Sequence, residues 1–238
     1  MTAPIPLLVF AGSSRAQSWN RKLAQVAADA ARAAGAQVTH LELGDFELPL
    51  YNGDLEARGI PRDVIRLKEI FHAHPAWLVV SPEYNGSYTG LLKNTIDWVS
   101  RPVKDDPLWA NGGKPFAGKV VGMLSASPGA LGGLRSLSHL APLLMNLQCW
   151  VSPKQFALSK AGEAFDADGQ LILSISRFDK DVTTYGENVR YRHLFDGKAL
   201  IVNAHIYEAR PAESRLMSLC WTFTADNLNY YLSVTPPN

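Results

Sequence analysis

The chain has 238 residues, of which 47% are hydrophobic and 19% charged, and its formal net charge at pH 7 is +1. This composition excludes a disordered chain, and the length suits one α/β domain with a small appendage rather than two full domains. A net charge near zero provides neither a basic surface for nucleic acid nor a strongly acidic surface for a cationic partner.

The amino terminus and the cysteines indicate the compartment. Residues 1–6 contain no basic region, and the apolar stretch that follows reaches Gly12 too soon for a signal peptide or a membrane span. Cys149 and Cys220 are too few and too far apart in sequence to suggest a disulfide framework. We therefore expect a cytoplasmic protein without a membrane segment.

Strands and helices alternate over the first 151 residues. Short apolar runs predict strands buried on both faces, as parallel sheets require, and apolar residues at helical spacing predict the helices between them. Five strands are predicted at residues 5–11, 38–43, 77–80, 119–125 and 148–151. Four helices are predicted: one ends at Gly35, one begins at Pro61 and carries Val64, Leu67 and Phe71, one carries apolar residues from Leu91 to Val99, and one carries Leu134, Leu137, Ala141, Leu144 and Met145.

This alternation predicts a doubly wound α/β fold, in which five parallel strands have helices on both faces. Ligands of such folds bind at the carboxyl ends of the strands. Three of these ends, after the first, third and fourth strands, carry unusual loops, and we expect the chemistry there.

The first loop, residues 12–20, reads GSSRAQSWN and leads directly into a helix. Helix amino termini present unpaired N–H groups and a partial positive charge, to which this loop adds serine hydroxyls, an amide and the charge of Arg15. This pattern predicts a site for a phosphate monoester. The alternative is that serine and asparagine merely cap the helix. The loop contains neither the Gly-Lys-Ser/Thr of an ATP-binding P-loop nor GxGxxG.

The second loop, residues 82–90, reads PEYNGSYTG and continues into LLKNTIDWVS at residues 91–100. With the first loop, these segments resemble the NADPH-dependent FMN reductase family, whose signature combines GSxRxxSxN, PEYN and LKNxIDWxS. All three segments match in order and spacing. One departure is Thr89, where the family usually has proline. The alternative interpretation of the second loop is a structural turn with exposed aromatic side chains.

The resemblance implies a flavodoxin-like fold that binds FMN. It implies that Ser13, Arg15, Ser18 and Asn20 hold the phosphate, with Trp19 beside them. It also implies that the turn formed by Pro82, Glu83, Tyr84 and Asn85 lies against the isoalloxazine ring, with main-chain groups bonded to the polar edge of the ring.

The third loop, residues 125–133, reads SASPGALGG and resembles the glycine-rich segment that follows the fourth strand in the same family. Glycines allow the backbone to approach a flat ring closely, and N–H groups there would stabilise the negative charge of reduced flavin. We therefore include Ser127, Gly129 and Gly132 in the expected cofactor site. The alternative, a hydrolase nucleophile elbow, lacks the leading glycine and has Pro128 after the candidate serine.

The implied reaction uses NADPH or NADH to reduce FMN, which then reduces a small acceptor such as a quinone, an azo compound, chromate or free flavin. Because the flavin carries the chemistry, we expect no catalytic side chain and no metal, and we interpret His72 and His74 as solvated residues. The resemblance also implies a homodimer or homotetramer, in which another chain completes the region of Tyr84 and Trp98. Two alternatives remain: a flavodoxin-like electron carrier without NAD(P)H turnover, and a scaffold protein with a lost flavin site.

The resemblance ends near residue 170. We therefore predict a reductase domain at residues 1–170 and an unassigned carboxyl-terminal extension at residues 171–238. The family's final amphipathic helix is missing, which would leave one face of the sheet uncovered unless the extension, for example residues 216–221, covers it. The other interpretation is a shifted reading frame or a fused extension.

Overall fold

A computed structural model of the chain describes residues 4–166, 169, 171, 189–195, 199–207, 216–224 and 228–234, the last four ranges by their backbone alone. The chain divides into two compact units, Met1–Leu171 and Ile172–Asn238. In the described ranges, no helix is both long and apolar enough to cross a membrane.

The first unit contains a parallel five-stranded sheet with the strand order β2-β1-β3-β4-β5. This order confirms the predicted doubly wound, flavodoxin-like class. Its strands are β1 (Pro6–Ala11), β2 (Gln37–Leu41), β3 (Ala76–Val80), β4 (Val120–Ala126) and β5 (Trp150–Leu158). Its helices are α1 (Trp19–Ala33), α2 (Gly53–Ala57), α3 (Arg62–Ala73), α4 (Gly90–Val99) and α5 (Leu134–Asn146), with a short 3-10 turn at Leu43–Asp45.

The sheet separates two hydrophobic cores. Alternate residues of a strand point to opposite faces, so Leu8 and Phe10 of β1 belong to one core while Val9 and Ala11 belong to the other. The first core takes buried residues from α3, α4 and α5, and the second takes them from α1 and from Ala161 and Phe165. Helices on both faces thus bury the sheet, as the alternation predicts.

Most predicted elements agree with the structure to within two or three residues. Gly35 adopts φ +87° directly after α1, which is the left-handed conformation expected just beyond a helix. On α5, however, Leu134 and Met145 are exposed, and the buried face is formed by Ser136, Leu137, Leu140 and Leu144. The apolar spacing predicted Leu134 and Met145 on the packed face, but in the structure both residues lie just outside it.

Strand β5 is much longer than the predicted 148–151. The pairing of β4 with β5 shifts its register between Val121 and Met123, so the additional residues around Pro153 are accommodated opposite Gly122. A proline is tolerated there because β5 pairs on one side only. Because residues 152–155 are mostly polar, hydrophobic periodicity did not predict the full length of this strand. Helix α2, which buries none of its residues, was likewise not predicted.

The second unit contains an antiparallel four-stranded sheet in the order β6 (Val189–Phe195), β7 (Ala199–Tyr207), β8 (Leu216–Thr224) and β9 (Leu228–Val234). The prediction that residues 216–221 cover the first sheet concerns side chains outside the described residues. On β5 of the first unit, the side chain of Trp150 is 73% exposed.

Candidate functional site

The three predicted loops meet in one cleft. They follow β1, β3 and β4, which lie side by side in the sheet, so their carboxyl ends share an edge. The residues that line the cleft are Ser13, Arg15, Ser18, Trp19, Asn20, Pro82, Glu83, Tyr84, Ala126, Ser127 and Pro128. Nine of the twelve residues predicted for the site line this cleft, and Asn85, Gly129 and Gly132 do not.

Several polar side chains of the first loop have no hydrogen-bond or ion-pair partner among the described residues. Ser18 is the N-cap of α1, but its side chain accepts no hydrogen bond from the helix. Ser13 and Ser18 are almost fully buried, and their hydroxyls have no hydrogen-bond partner among the residues that the structure describes. Within the same residues, the guanidinium of Arg15 has no ion-pair partner. The start of α1, two hydroxyls and a cation therefore come together in the cleft, a combination suited to an anion, and simple helix capping by Ser18 is not observed.

Asn20 differs from the other residues of this loop. Its Nδ2 donates a hydrogen bond of 2.8 Å to the carbonyl of Ala126, and its Oδ1 accepts one of 2.9 Å from the Ala126 N–H. The residue is 4% exposed. Its carboxamide is therefore engaged with the backbone at the end of β4, while its predicted role in holding the phosphate stays a prediction.

A tight turn forms the tip of the second loop. Tyr84 and Ser87 exchange two backbone hydrogen bonds of 2.8 and 3.0 Å, and the two residues between them, Asn85 and Gly86, have φ values of +50° and +78°. Asparagine followed by glycine is favoured in such a turn because both tolerate positive φ. Asn85 thus shapes the turn, while Tyr84, which is 55% exposed, stands at the rim of the cleft.

Glu83 fastens the second loop to α5. Its carboxylate accepts a hydrogen bond of 2.7 Å from Nε of Arg135 and another of 3.2 Å from the Arg135 backbone N–H. The N-cap of α5 is Gly133, which has no side chain to accept this N–H. The carboxylate therefore supplies the cap from a different loop, and its negative charge lies at the positive end of the helix.

Thr89, the departure from the family pattern, fastens the second loop to the first. Its Oγ1 caps α4 by accepting a hydrogen bond of 3.2 Å from the Leu92 N–H. The same hydroxyl donates a bond of 2.6 Å to the carbonyl of Gly12. A proline would provide neither bond, so this substitution adds a direct link between the two loops.

The third loop contributes Ser127 and Pro128 to the cleft, while its glycines serve its own packing. Gly132 has φ +61°, and a Cβ atom there would lie 2.7 Å from backbone atoms of Ala157, Leu158 and Ser159. Gly129 donates its N–H to Oγ of Ser127 at 3.2 Å. The close approach that requires Gly132 is therefore an approach to the end of β5 rather than one seen in the cleft.

The hydrolase alternative finds no support in this loop. The hydroxyl of Ser125 is buried without a partner, and that of Ser127 is bonded to Gly129. A nucleophilic serine requires a base within hydrogen-bond reach, and no histidine bonds to either serine among the described residues.

The LKNTIDWVS segment fixes a stretch of chain that the sequence analysis did not single out, residues 46–58. Oδ1 of Asn94 accepts from the Tyr51 N–H at 2.8 Å, and Nδ2 donates to the Pro49 carbonyl at 3.0 Å. Nε1 of Trp98 donates to the same carbonyl at 2.7 Å. Lys93 and Asp97 form an ion pair with each other. Asn94 was a usable signal, because asparagine is unfavourable inside a helix unless its side chain points to solvent or bonds another segment.

Cys149 and His74 have structural partners. Burial raises the pKa of the Cys149 thiol to about 12, so it is a poor nucleophile. The interpretation of His72 and His74 as solvated residues needs correction: the ring nitrogens of His74 bond to the Ile70 carbonyl at 2.7 Å and the Thr39 hydroxyl at 2.8 Å, and Nδ1 of His72 is buried. Among the residues that can be described, no group of three metal-ligating side chains occurs.

Comparison with known proteins agrees with these features. A sequence model of the family described as NADPH-dependent FMN reductase matches residues 5–163. An NAD(P)H-dependent FMN reductase of Pseudomonas aeruginosa is 37% identical over 174 residues, which are 72% of this chain and 87% of that protein. A quinone reductase of Escherichia coli is 34% identical over 155 residues, covering 65% of this chain and 77% of that protein. The structure is also similar to FerB, a flavoenzyme NAD(P)H:(acceptor) oxidoreductase of Paracoccus denitrificans, with a TM-score of 0.59 and 32% identity over 70% of this chain and 86% of that one.

Proposed function

The chain belongs to the NADPH-dependent FMN reductase family, and from that membership we infer that it is an enzyme that passes electrons from NAD(P)H through bound FMN to a small acceptor. The observation that carries the proposal is the cleft itself, in which three loops from neighbouring strands bring Ser13, Arg15 and Ser18 together with residues 82–84 and 126–128.

The phosphate end of the cleft fits FMN. A phosphate monoester carries close to two negative charges and several acceptor oxygens, which require donors and positive charge. The first turn of α1, the hydroxyls of Ser13 and Ser18, and Arg15 provide both, and none of these side chains has another partner in the described part of the chain. We assign the phosphate to these groups.

The ring end is assigned to the two other loops. Pro82 to Tyr84 line one part of the cleft, and Ala126 to Pro128 line another. The ring would lie between them, with Trp19 and Tyr84 as the aromatic side chains closest to it. Glu83 is bonded to α5 and Asn85 lies in a hydrogen-bonded turn, and both contacts hold this wall in place without the cofactor.

FMN held by the residues named above would supply the redox chemistry between NAD(P)H and the acceptor. The residues of this chain would bind it and orient it. No side chain is required as a nucleophile or general base, and the cleft lining contains neither histidine nor cysteine. Similar proteins named quinone reductases make a quinone the first acceptor that we propose. Azo compounds, chromate and free flavin are the other proposed acceptors.

We also propose the finer features that the resemblance implies. The enzyme is cytoplasmic and assembles as a homodimer or homotetramer, in which a second copy covers the exposed Tyr84. Residues 1–170 are the reductase domain, and residues 171–238 are a carboxyl-terminal extension with no assigned role.

The test is an absorption spectrum of the protein reconstituted with FMN, recorded before and after anaerobic NADPH or NADH. Flavin bands that bleach with a nicotinamide and return with a quinone are expected, and the faster donor identifies the preferred nicotinamide. Bound FMN that neither nucleotide bleaches would favour the electron carrier. A folded sample that binds no FMN would refute the site assignment.

A further inference from the structure

Two asparagines of this chain make the same unusual pair of contacts. Asn20 bonds both the N–H and the carbonyl of Ala126, at 2.9 and 2.8 Å. Asn94 bonds the N–H of Tyr51 and the carbonyl of Pro49, at 2.8 and 3.0 Å. Each side chain thus uses its donor and its acceptor on the backbone of a distant segment. We call the two pairs the Asn20 clamp and the Asn94 clamp.

The Asn20 clamp joins the two ends of the cleft. Asn20 is the second residue of α1, whose first turn forms the anion site. Ala126 is the last residue of β4, and Ser127 and Pro128 directly after it line the cleft. The Asn94 clamp holds Pro49 and Tyr51, neither of which lines the cleft.

The geometry of a carboxamide makes this link stiff. Its donor and acceptor lie in one plane at a fixed spacing, so bonding both of them to one peptide segment sets orientation as well as distance. Asn20 is buried, and water therefore competes poorly for these bonds. If the side chain is removed, the N–H and the carbonyl of Ala126 both lose this partner.

We propose that Asn20 is a positioning residue, which sets the distance between the phosphate site on α1 and the ring site at residues 126–128. The inference rests on the proposed function. A flavin that uses both ends, FMN, depends on their correct spacing. Riboflavin lacks the phosphate and uses the ring end alone, so its binding is nearly independent of the clamp.

The experiment measures the dissociation constants of FMN and riboflavin for the apoprotein by flavin fluorescence quenching. Asn20→Ala removes two hydrogen bonds and is expected to weaken FMN about 30-fold while riboflavin changes less than about 3-fold. Asn20→Ser retains one short polar group that reaches at most one atom of Ala126, and it is expected to weaken FMN about 5-fold. This second variant remains informative if the alanine variant folds poorly.

Asn94→Ala is the matched control, because it removes the same two types of bond away from the cleft. It is expected to leave both dissociation constants unchanged. Hydrogen exchange in the apoproteins provides a readout without cofactor: the Ala126 amide is expected to exchange faster in Asn20→Ala and at the wild-type rate in Asn94→Ala.

Three results would overturn the proposal: FMN affinity unchanged in Asn20→Ala, equal weakening of FMN and riboflavin, or equal losses in the two alanine variants. Equal losses would indicate general destabilisation rather than positioning. A wild-type protein that binds neither flavin would instead refute the proposed function, so the two failures are distinguishable.

Discussion

The first loop and residues 46–58 both follow strands at the same edge of the sheet, but they treat their polar groups in opposite ways. In the first loop, Ser13 and Ser18 have no hydroxyl partners among the described residues. In residues 46–58, the Tyr51 hydroxyl donates to Glu56 at 2.7 Å, and Arg101 pairs with the same carboxylate at 2.8 Å.

This difference distinguishes a binding loop from a structural one. Folded proteins satisfy nearly all their buried polar groups, so a cluster of open donors at a cleft indicates a ligand that satisfies them. A loop of similar polarity whose groups bond one another contributes stability instead. Amino-acid composition alone does not separate these cases, since both segments are rich in polar residues.

A substitution of Gly132 in the third loop tests whether this glycine packs against β5 or contacts the cofactor. Gly132→Ala would place a Cβ against the backbone of β5 at positive φ, and we expect it to lower the free energy of unfolding of the apoprotein by about 3 kcal/mol. Gly35→Ala is the control, because Gly35 has φ +87° with open space around it, and should cost about 1 kcal/mol. Urea denaturation measures both. Equal stabilities, with FMN affinity reduced only in Gly132→Ala, would make Gly132 a cofactor contact instead.

Arg15→Gln tests the binding loop directly. A charge-assisted hydrogen bond to phosphate contributes about 1.5 to 3 kcal/mol, so the variant should bind FMN about 100-fold more weakly. The stability of the apoprotein should hardly change, because the guanidinium has no ion pair in the described structure to lose. Calorimetric titration at low and high salt measures the effect, which should shrink as salt rises. A variant that binds FMN as the wild type does would remove Arg15 from the phosphate site.

Lys68 shows that an incompletely satisfied group need not mark a site. This lysine of α3 is fully buried, and its Nζ donates one bond of 2.7 Å to the carbonyl of Val99. Burial lowers the pKa of Lys68 from 10.5 to about 8. Between these two values the unfolded chain holds a proton that the folded protein has released. The contribution of Lys68 to the free energy of unfolding therefore rises with pH above pH 8, by up to about 1.4 kcal/mol per pH unit, and is nearly constant below pH 8.

Lys68→Met should be the more stable protein at pH 7, because it removes the cost of a buried charge, and should lose that advantage as the pH approaches 10. Urea denaturation of both proteins from pH 6 to pH 10 measures the difference. A difference that is constant over this range would show that Lys68 stays protonated in the folded as in the unfolded state, so that burial does not lower its pKa.

Arg101→Gln tests the structural loop and has the smallest expected effect. The pair with Glu56 is partly exposed, so its loss should lower the free energy of unfolding by about 0.5 to 1 kcal/mol. FMN affinity should stay at the wild-type value, which makes this variant the matched arginine control for Arg15→Gln. A loss of FMN affinity here would mean that residues 46–58 support the cleft and would blur the distinction between the two loops.

The sequence predicted the fold well because strands and helices leave a local pattern. Val64, Leu67 and Phe71 form the buried face of α3, as their spacing predicts. Prediction failed where no local pattern exists. Strand β5 contains a polar run around Pro153 that only the register of its neighbour explains.

The sequence by itself determined the alternation of elements, the family and the segments that meet at the cleft, because hydrophobic period and motif residues are properties of neighbours in the chain. Tertiary structure decided which polar side chains remain open to a ligand. Ser18 and Asn20 are two residues apart, yet the hydroxyl of Ser18 has no partner in the described part of the chain and the side chain of Asn20 bonds a backbone segment 106 residues away. A hydrogen bond over such a separation depends on which strands lie side by side, and only the folded sheet sets that.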